Sequence, residues 1–399
     1  MKVYLSKPDI VCAAGNNSEQ VFERLLNNEC FLSLNDEFTS KAFYLGKCKD
    51  LKTLPKEIAP FYQTRTNQIL YNAFLELESL IYELKKDFEK ASFGIVVGTS
   101  TTGVEENYQA IKARKAYMSE RNSLSNPAAF LNTLFDLNAL NFGISSACTS
   151  GAKALMQGAR LIKSGLCDIV LVAGVDSLNT LTINGFKALD ILSSSICKPF
   201  DKNRDGINIG EGAASFILIS EKIYKSLENA LKSEFKLELK AYKSNNDAFH
   251  ITQPKAQNPD LSMLLKALLD EAELKVEQID YISLHGTGTQ SNDLMESALF
   301  SPLFKNTPSS SIKHLIGHTL AAAGSIEAAL CAKLILKSLE NSQTPLLAQQ
   351  ERIKDKALKP LNLVKKGDKA RVLNALSSSF AFGGDNTLLI LGAKDDERA

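Results

Sequence analysis

Apolar residues fall into two kinds of run along the chain. Short ones at 93–97 (FGIVV), 169–173 (IVLVA), 213–219 (AASFILI), 281–284 (YISL), 371–376 (RVLNAL) and 386–391 (NTLLIL) have the length of strands. Their β-branched content between turn signals is that of strands buried inside an α/β sheet. Between them, stretches with apolar residues at i, i+3 and i+4 predict helices over 66–84, 150–164, 259–272 and 325–339. Strands interleaved with helices of a dozen residues or more predict a layered α/β fold.

The pattern hints at a duplication. Laying Gly151 on Gly324, an offset of 173, sets Ala159 on Ala332, Leu161 on Leu334 and Ile162 on Ile335. The strand ending in Gly98-Thr99-Ser100 likewise resembles the one running into Gly286-Thr287-Gly288-Thr289. Two ordinary Ala-rich helices produce the same match, so duplication and chance both stand at this point. The polar, Lys-rich stretch 220–243 is the natural junction between halves.

Composition narrows the class. The 399 residues suffice for a large core without staples. With 46 Lys and Arg against 45 Asp and Glu, the net charge of +1 excludes a dominant nucleic-acid footprint. A hydrophobic share of 44% excludes a disordered chain. Seven cysteines without a CxxC pair, and no histidine cluster at zinc spacing, predict reduced thiols in the cytoplasm and no metal site. Pro8 and Asp9 interrupt the start before an apolar signal segment builds up, and no apolar run nears the ~20 residues of a membrane span. A soluble protein is expected, with neither nucleic acid nor membrane as partner.

Chemistry concentrates in a few segments. Cys148, in Ser145-Ser146-Ala147-Cys148-Thr149-Ser150-Gly151, stands at the predicted start of a helix. There the macrodipole and free N–H groups are expected to favour a thiolate and lower its pKa. A buried cysteine serving only as a small hydrophobe is the plainer alternative. In Leu284-His285-Gly286-Thr287-Gly288-Thr289 a strand meets a Gly-punctuated loop that lacks the GxGxxG spacing of a dinucleotide site. Ser311-Ile312-Lys313-His314-Leu315-Ile316-Gly317-His318 leads into a helix containing Glu327. Three of only four histidines lie in these two segments. The segments 198–206 with 210–212, and 379–386, read as tight, charged or glycine-bearing turns ahead of strands.

Together these motifs resemble the β-ketoacyl-acyl carrier protein synthases, elongating condensing enzymes of the thiolase superfamily. The likeness runs over about 93–392 in family order: ACTSG at Cys148, PFDxxRDGxxxGEGA from Pro199, HGTGT at His285, SxKxxxGHxxAAAG from Ser311 and FxFGG at Phe380. The resemblance implies a thiolase fold, with duplicated halves in a five-layered α-β-α-β-α core, divided here as 1–225 (nucleophile Cys) and 226–399 (two His). It implies an acyltransferase of the 3-oxoacyl-ACP synthase kind, active in fatty acid biosynthesis. Cys148 would take the acyl group, and His285 and His318 would complete a triad that decarboxylates malonyl thioester. Lys313 and Glu327 match a buried pair that orders the site. Cys148 and Phe382 match the oxyanion-hole positions, Phe382 also being the gate, with Phe380, Gly383 and Gly384 supporting. Thr252, Thr287 and Thr289 match residues along the pantetheine arm. His250 and His314 are taken as structural. The substrates ride on the 4'-phosphopantetheine of acyl carrier protein, no separate cofactor is needed, and members are homodimers. Because that carrier is acidic, Arg65, Lys112, Arg114 and Lys115 are candidate docking charges.

Three positions depart from the family pattern. Gln290 stands where Pro is usual, Ala381 where Gly is usual between the phenylalanines, and Asp385 where Thr is common. These changes leave the triad whole and favour a specialised polyketide or aryl-polyene type pathway as the alternative. A non-catalytic chain-length factor would lack the nucleophile. A degradative thiolase would carry a second catalytic Cys late in the chain, where only Cys331 occurs. An initiating synthase would have Asn in place of His318, and a plain lipid-binding protein would have no use for the triad.

Overall fold

The computed structural model describes residues 1–397. Its framework in the first half is β1 (Val3–Leu5), β2 (Asp9–Cys12), β3 (Phe93–Gly98), β4 (Leu140–Ile144), β5 (Ile169–Asp176) and β6 (Gly212–Ser220). The second half adds β7 (Leu237–Asn246), β8 (Tyr281–Ser283), β9 (Pro308–Ser310), β10 (Asn374–Ala381) and β11 (Asp385–Ala393). Every residue of β5 and β6 is buried, as the unbroken apolar runs require.

Strand pairing reveals the duplication. In the first half β3 pairs in parallel with β4 and β5, β5 is antiparallel to β6, and β6 to β2. In the second, β8 pairs in parallel with β9 and β10, β10 is antiparallel to β11, and β11 to β7. The senses are the same at every step. β1 pairs antiparallel with both β6 and β7, so hydrogen bonding joins the two sheets at one edge into a single twelve-stranded sheet, with β2 branching from β6.

Helices fill three layers around these sheets. α1 (Arg65–Asn72), α2 (Glu78–Asp87) and α3 (Asn126–Phe135) pack their apolar faces on the outside of the first sheet. α4 (Ser150–Lys163) lies in the centre; α5 (Pro259–Ala272) and α6 (Gln290–Phe304) cover the outside of the second sheet; and α7 (Ala323–Glu340) joins α4 in the central core. Gly151 and Gly324, the residues aligned by the offset of 173, meet where α4 and α7 approach. A Cβ on Gly151 would lie 2.6 Å from the Ala321 carbonyl oxygen, and one on Gly324 would lie 2.9 Å from the Ala152 Cβ. Glycine is needed at both for close approach of backbones, and the repeat is a true duplication.

Two elements differ from the sequence reading. The helix predicted over 66–84 is broken into α1 and α2, because tertiary partners take the backbone groups between them. The Ser215 hydroxyl donates to the Ala73 carbonyl, and the buried Asp9 carboxylate accepts the Glu76 N–H at 3.2 Å. The strand predicted over 371–376 instead runs over Asn374–Ala381. Asp280 captures the N–H groups of Leu373 and Asn374 at 2.8 and 2.9 Å, so pairing starts later and continues through the buried serines 377–379. The stretch 220–243, read as a junction, contains the start of β7.

Candidate active site

Cys148 sits between the end of β4 and the start of α4. Ala147 before it holds a left-handed backbone, φ +50°, a costly conformation for a residue with a Cβ. The turn is pinned by the Ser150 hydroxyl, which donates to the Ala147 carbonyl at 2.6 Å and accepts the Ser146 N–H at 2.9 Å. His285 follows β8. Its N–H and that of Gly286 each donate at 2.7 Å to the buried carboxylate of Glu296 on α6. His318 follows Gly317, φ +80°. Its N–H donates to the Asn208 carbonyl at 2.7 Å, and its own carbonyl accepts the Gly210 N–H at 2.9 Å. The segment from Pro199 to Ala213, read as charged turns, is thus the first half's clamp on a second-half histidine.

These elements bring the predicted triad together. His318 Nε2 lies 2.9 Å from Cys148 Sγ. The His285 and His318 rings stand 5.3 Å apart and nearly perpendicular, and Phe380 presents an edge contact to His285 at 5.9 Å. Behind His285, the Lys313 ammonium donates to the His285 carbonyl and to Glu327, and lies 3.5 Å from His285 Nδ1. An ammonium only donates, so Nδ1 is the accepting nitrogen and the ring proton belongs on Nε2. The Lys313 and Glu327 side chains are each 2% exposed, a desolvated pair in which removing one partner leaves the other buried without its bond.

Electrostatics correct one expectation. Burial pushes the Cys148 thiol up to about 12, with Lys313 pulling weakly the other way. The macrodipole at a helix N-terminus is worth about 0.3–1 kcal/mol, less than the desolvation of a buried thiolate. Burial, reinforced by the Lys313 charge, also holds both His285 and His318 well below the ordinary histidine value. The resting site is therefore a thiol donating to a neutral imidazole, an arrangement in which His318 Nε2 can accept the thiol proton.

A narrow cavity of about 60 Å³ opens onto Cys148. Thr252, Thr287 and Thr289 line it with both histidines, Phe380, Phe382 and Gly384. The Thr287 and Thr289 hydroxyls lie 3.0 Å apart. Phe382 is 37% exposed at the tip of the β10–β11 hairpin, 5.9 Å from the Phe186 ring, with Gly383 and Gly384 at φ +84° and +77°. His250, taken as structural, also lines the cavity, its Nδ1 accepting the Thr252 N–H at 3.1 Å. His314 is buried against Asn28 at 3.2 Å, away from the cavity lining.

Arg65, one of the candidate docking charges, is engaged within the fold. Its guanidinium pairs with the buried Glu211 at 2.6 Å and donates to the Cys48 carbonyl at 2.8 Å. Lys112, Arg114 and Lys115 are exposed. Sequence reading missed three carboxylates that shape the site. Glu296 holds His285, and Asp293 accepts the N–H groups of Phe200 and Gly288 at 2.7 and 3.3 Å. Their three-residue spacing on the helix after HGTGT was the available signal. Asp176, at the end of β5, accepts from the Thr99 hydroxyl, from the Ser100 and Thr101 N–H groups, and from the Ala321 N–H at 2.8 Å, joining the two halves beneath the site. Nothing in the local sequence marks it.

Among the described residues no group of His, Cys, Asp and Glu could hold a metal ion, and no helix is long and apolar enough to cross a membrane. Residues 66–222 match the family model of the β-ketoacyl synthase N-terminal domain, and 237–345 that of its C-terminal domain. The chain is 26% identical to a chloroplastic 3-oxoacyl-[acyl-carrier-protein] synthase II of Arabidopsis thaliana, over 98% of this chain and 75% of that protein. It is 30% identical to nodulation protein E of Rhizobium sp. (strain N33), over 74% of each. A chain of the ketosynthase ApeO complex with its chain length factor ApeC, from Xenorhabdus doucetiae, superposes with a TM-score of 0.88 at 30% identity, covering 98% of both. Enzymes of this kind take substrates carried on phosphopantetheine and need no separate cofactor. Fold, paired family domains and relatives agree: the chain belongs to the β-ketoacyl synthase family, condensing enzymes of the thiolase superfamily.

Proposed function

We propose that the chain joins an acyl thioester to malonyl-ACP by decarboxylative Claisen condensation, yielding 3-oxoacyl-ACP. The observation that carries this reading is the His318 Nε2 to Cys148 Sγ distance of 2.9 Å with the His285 ring beside it. In the first step Cys148 attacks the acyl carbonyl and its proton passes to His318. The carbon–sulfur bond to the carrier breaks, and the departing pantetheine sulfur takes that proton. Malonyl-ACP then enters along Thr252, Thr287 and Thr289. Its carboxylate leaves as carbon dioxide, and the enolate oxygen is stabilised by the Nε2–H of His285 and by His318, whose Nε2 takes up the ring proton once acylation has removed the thiol it accepted from. The enolate carbon attacks the acyl-Cys148 carbonyl, whose oxyanion is received by the backbone N–H groups of Cys148 and Phe382. The carbon–carbon bond forms, the bond to Cys148 breaks, and the thiolate takes a proton from solvent, the one proton that the overall reaction consumes.

In this reading Lys313 and Glu327 are positioning residues, since Lys313 fixes the tautomer of His285. Phe382 is the gate, and Phe380, Gly383 and Gly384 shape its turn. The nucleophile comes from the half ending near residue 225 and both histidines from the other. Acyl carrier protein is the partner. The edge strand β4 ends the sheet, with Leu140 51% exposed, which supports pairing with a second copy of the chain, as a homodimer. Seven free thiols suit a reducing compartment such as the cytoplasm.

Relatives named 3-oxoacyl-ACP synthase support a role in fatty acid biosynthesis. A second reading, a ketosynthase of a specialised polyketide or aryl-polyene type pathway, is favoured by Gln290, Ala381 and Asp385 and by the likeness to the ketosynthase–chain length factor complex. The test is to incubate the protein with acyl-ACPs of graded length and read the intact mass. An acyl adduct that vanishes in Cys148→Ala supports the reading, and the chain lengths accepted separate the two pathways. Absence of any adduct with every carrier tried refutes it.

A further inference from the structure

The turn carrying Phe382 is held by two separate sets of bonds. On one side the last residue of β7 and the loop after it grip its backbone. Asn246 Nδ2 donates to the Gly383 carbonyl at 2.9 Å, the Asp247 N–H donates to the Gly384 carbonyl at 2.9 Å, and the Gly383 N–H donates to the Ile251 carbonyl at 2.7 Å. These are neutral bonds in an exposed loop, which water replaces at little net cost.

On the other side stands Asp385, the first residue of β11 and three residues beyond Phe382. Its carboxylate forms an ion pair with Lys153 and accepts from the Thr149 hydroxyl at 3.0 Å. Thr149 directly follows Cys148, and Lys153 lies in the first turn of α4. The two charged side chains are 18% and 17% exposed, so solvent screens them less than a surface pair. A cation in the first turn of a helix opposes the macrodipole, whereas a carboxylate there agrees with it. Asp385 therefore neutralises Lys153 and fits the field of the helix end.

We propose that Asp385 is a positioning residue: through Lys153 and Thr149 it fastens the Phe382 turn to the helix that carries Cys148, and so sets how readily a bulky group reaches the thiol. The loop contacts are the releasable side of the turn, and the ion pair is its pivot. The proposal rests on the reading of Phe382 as the gate.

The test compares alkylation of Cys148 in the full-length protein by a small reagent, iodoacetamide, and a bulky one, benzophenone-4-maleimide, at one pH, followed by peptide mass. Asp385→Asn keeps the shape and removes the charge, and Lys153→Met removes the other partner. Each is expected to raise the bulky-to-small rate ratio roughly tenfold, the weight of one charged hydrogen bond. Phe382→Ala raises it as well, and the exchanged pair Lys153→Asp with Asp385→Lys restores it to within about twofold of the parent. A ratio that rises in Phe382→Ala but not in Asp385→Asn or Lys153→Met overturns the role of Asp385. A ratio unchanged in Phe382→Ala overturns the gate and the latch together, while the condensation assignment answers to the separate acylation assay. Equal acceleration of both reagents also overturns the proposal, because it reports a changed thiol rather than a changed entrance.

Discussion

Lys313→Met isolates the buried pair behind His285. In the parent, burial pushes the Glu327 carboxyl up to about 7 even with Lys313 bonded to it. Its ordinary value is 4.5, so between those values the folded state holds a proton that the unfolded state has lost. Stability therefore falls as pH rises through that window, by about 1.4 kcal/mol per unit, and levels off above about 7 where both states are ionised. Without Lys313 the cation bonded to Glu327 is gone and its pKa moves higher still, so the fall continues above 7. The charge contribution to the difference between variant and parent is then close to zero at pH 6. It grows to about 1.4 kcal/mol at pH 8, on top of a pH-independent loss of the bond to the His285 carbonyl. Urea unfolding of parent, Lys313→Met and Lys313→Met/Glu327→Gln at pH 6, 7 and 8 reads this directly. The double variant should lose the extra pH dependence. A pH-dependent part of the deficit in Lys313→Met that is absent, or that persists in the double variant, would mean that Lys313 does not set the charge on Glu327.

Other consequences follow from the same contacts. His285→Ala should still accept an acyl group on Cys148 yet lose malonyl decarboxylation by about two or more orders of magnitude, while His318→Ala, which also removes the acceptor of the thiol proton, should slow acylation as well; labelled carbon dioxide release and the Cys148 adduct mass measure the two losses, and retained condensation contradicts the roles given. Gly324→Ala places a methyl 2.9 Å from the Ala152 Cβ at the meeting of the two halves. It should cost about 1–3 kcal/mol of stability, seen as a lowered urea midpoint, and an unshifted midpoint would deny that the central helices are closely packed there.

What the sequence made legible is what local chemistry dictates. Cys148, His285 and His318 stand beside glycines and strand ends, and the turn geometry there admits few residue types, so the motifs could be read in order. The unbroken apolar runs likewise marked β5 and β6, since strands buried on both faces tolerate little else. What stayed hidden depends on distant partners. The break between α1 and α2 is made by Ser215 and Asp9, the late start of β10 by Asp280, and the holding of Arg65 by Glu211. The rise of the Cys148 pKa comes from burial by the whole fold, which a helix-start argument does not see. Asp385 was recognisable as an odd residue, but its partner Lys153 lies 232 positions away.

The most direct test of the account is a single turnover on enzyme already carrying the acyl group on Cys148. Malonyl-ACP labelled in its free carboxyl is added, and carbon dioxide, 3-oxoacyl-ACP and the mass of the Cys148 peptide are followed together. One labelled carbon dioxide and one 3-oxoacyl-ACP are expected for each acyl group lost from Cys148. Loss of the acyl group to water without carbon–carbon bond formation, or condensation that leaves the labelled carboxyl in the product, would contradict it.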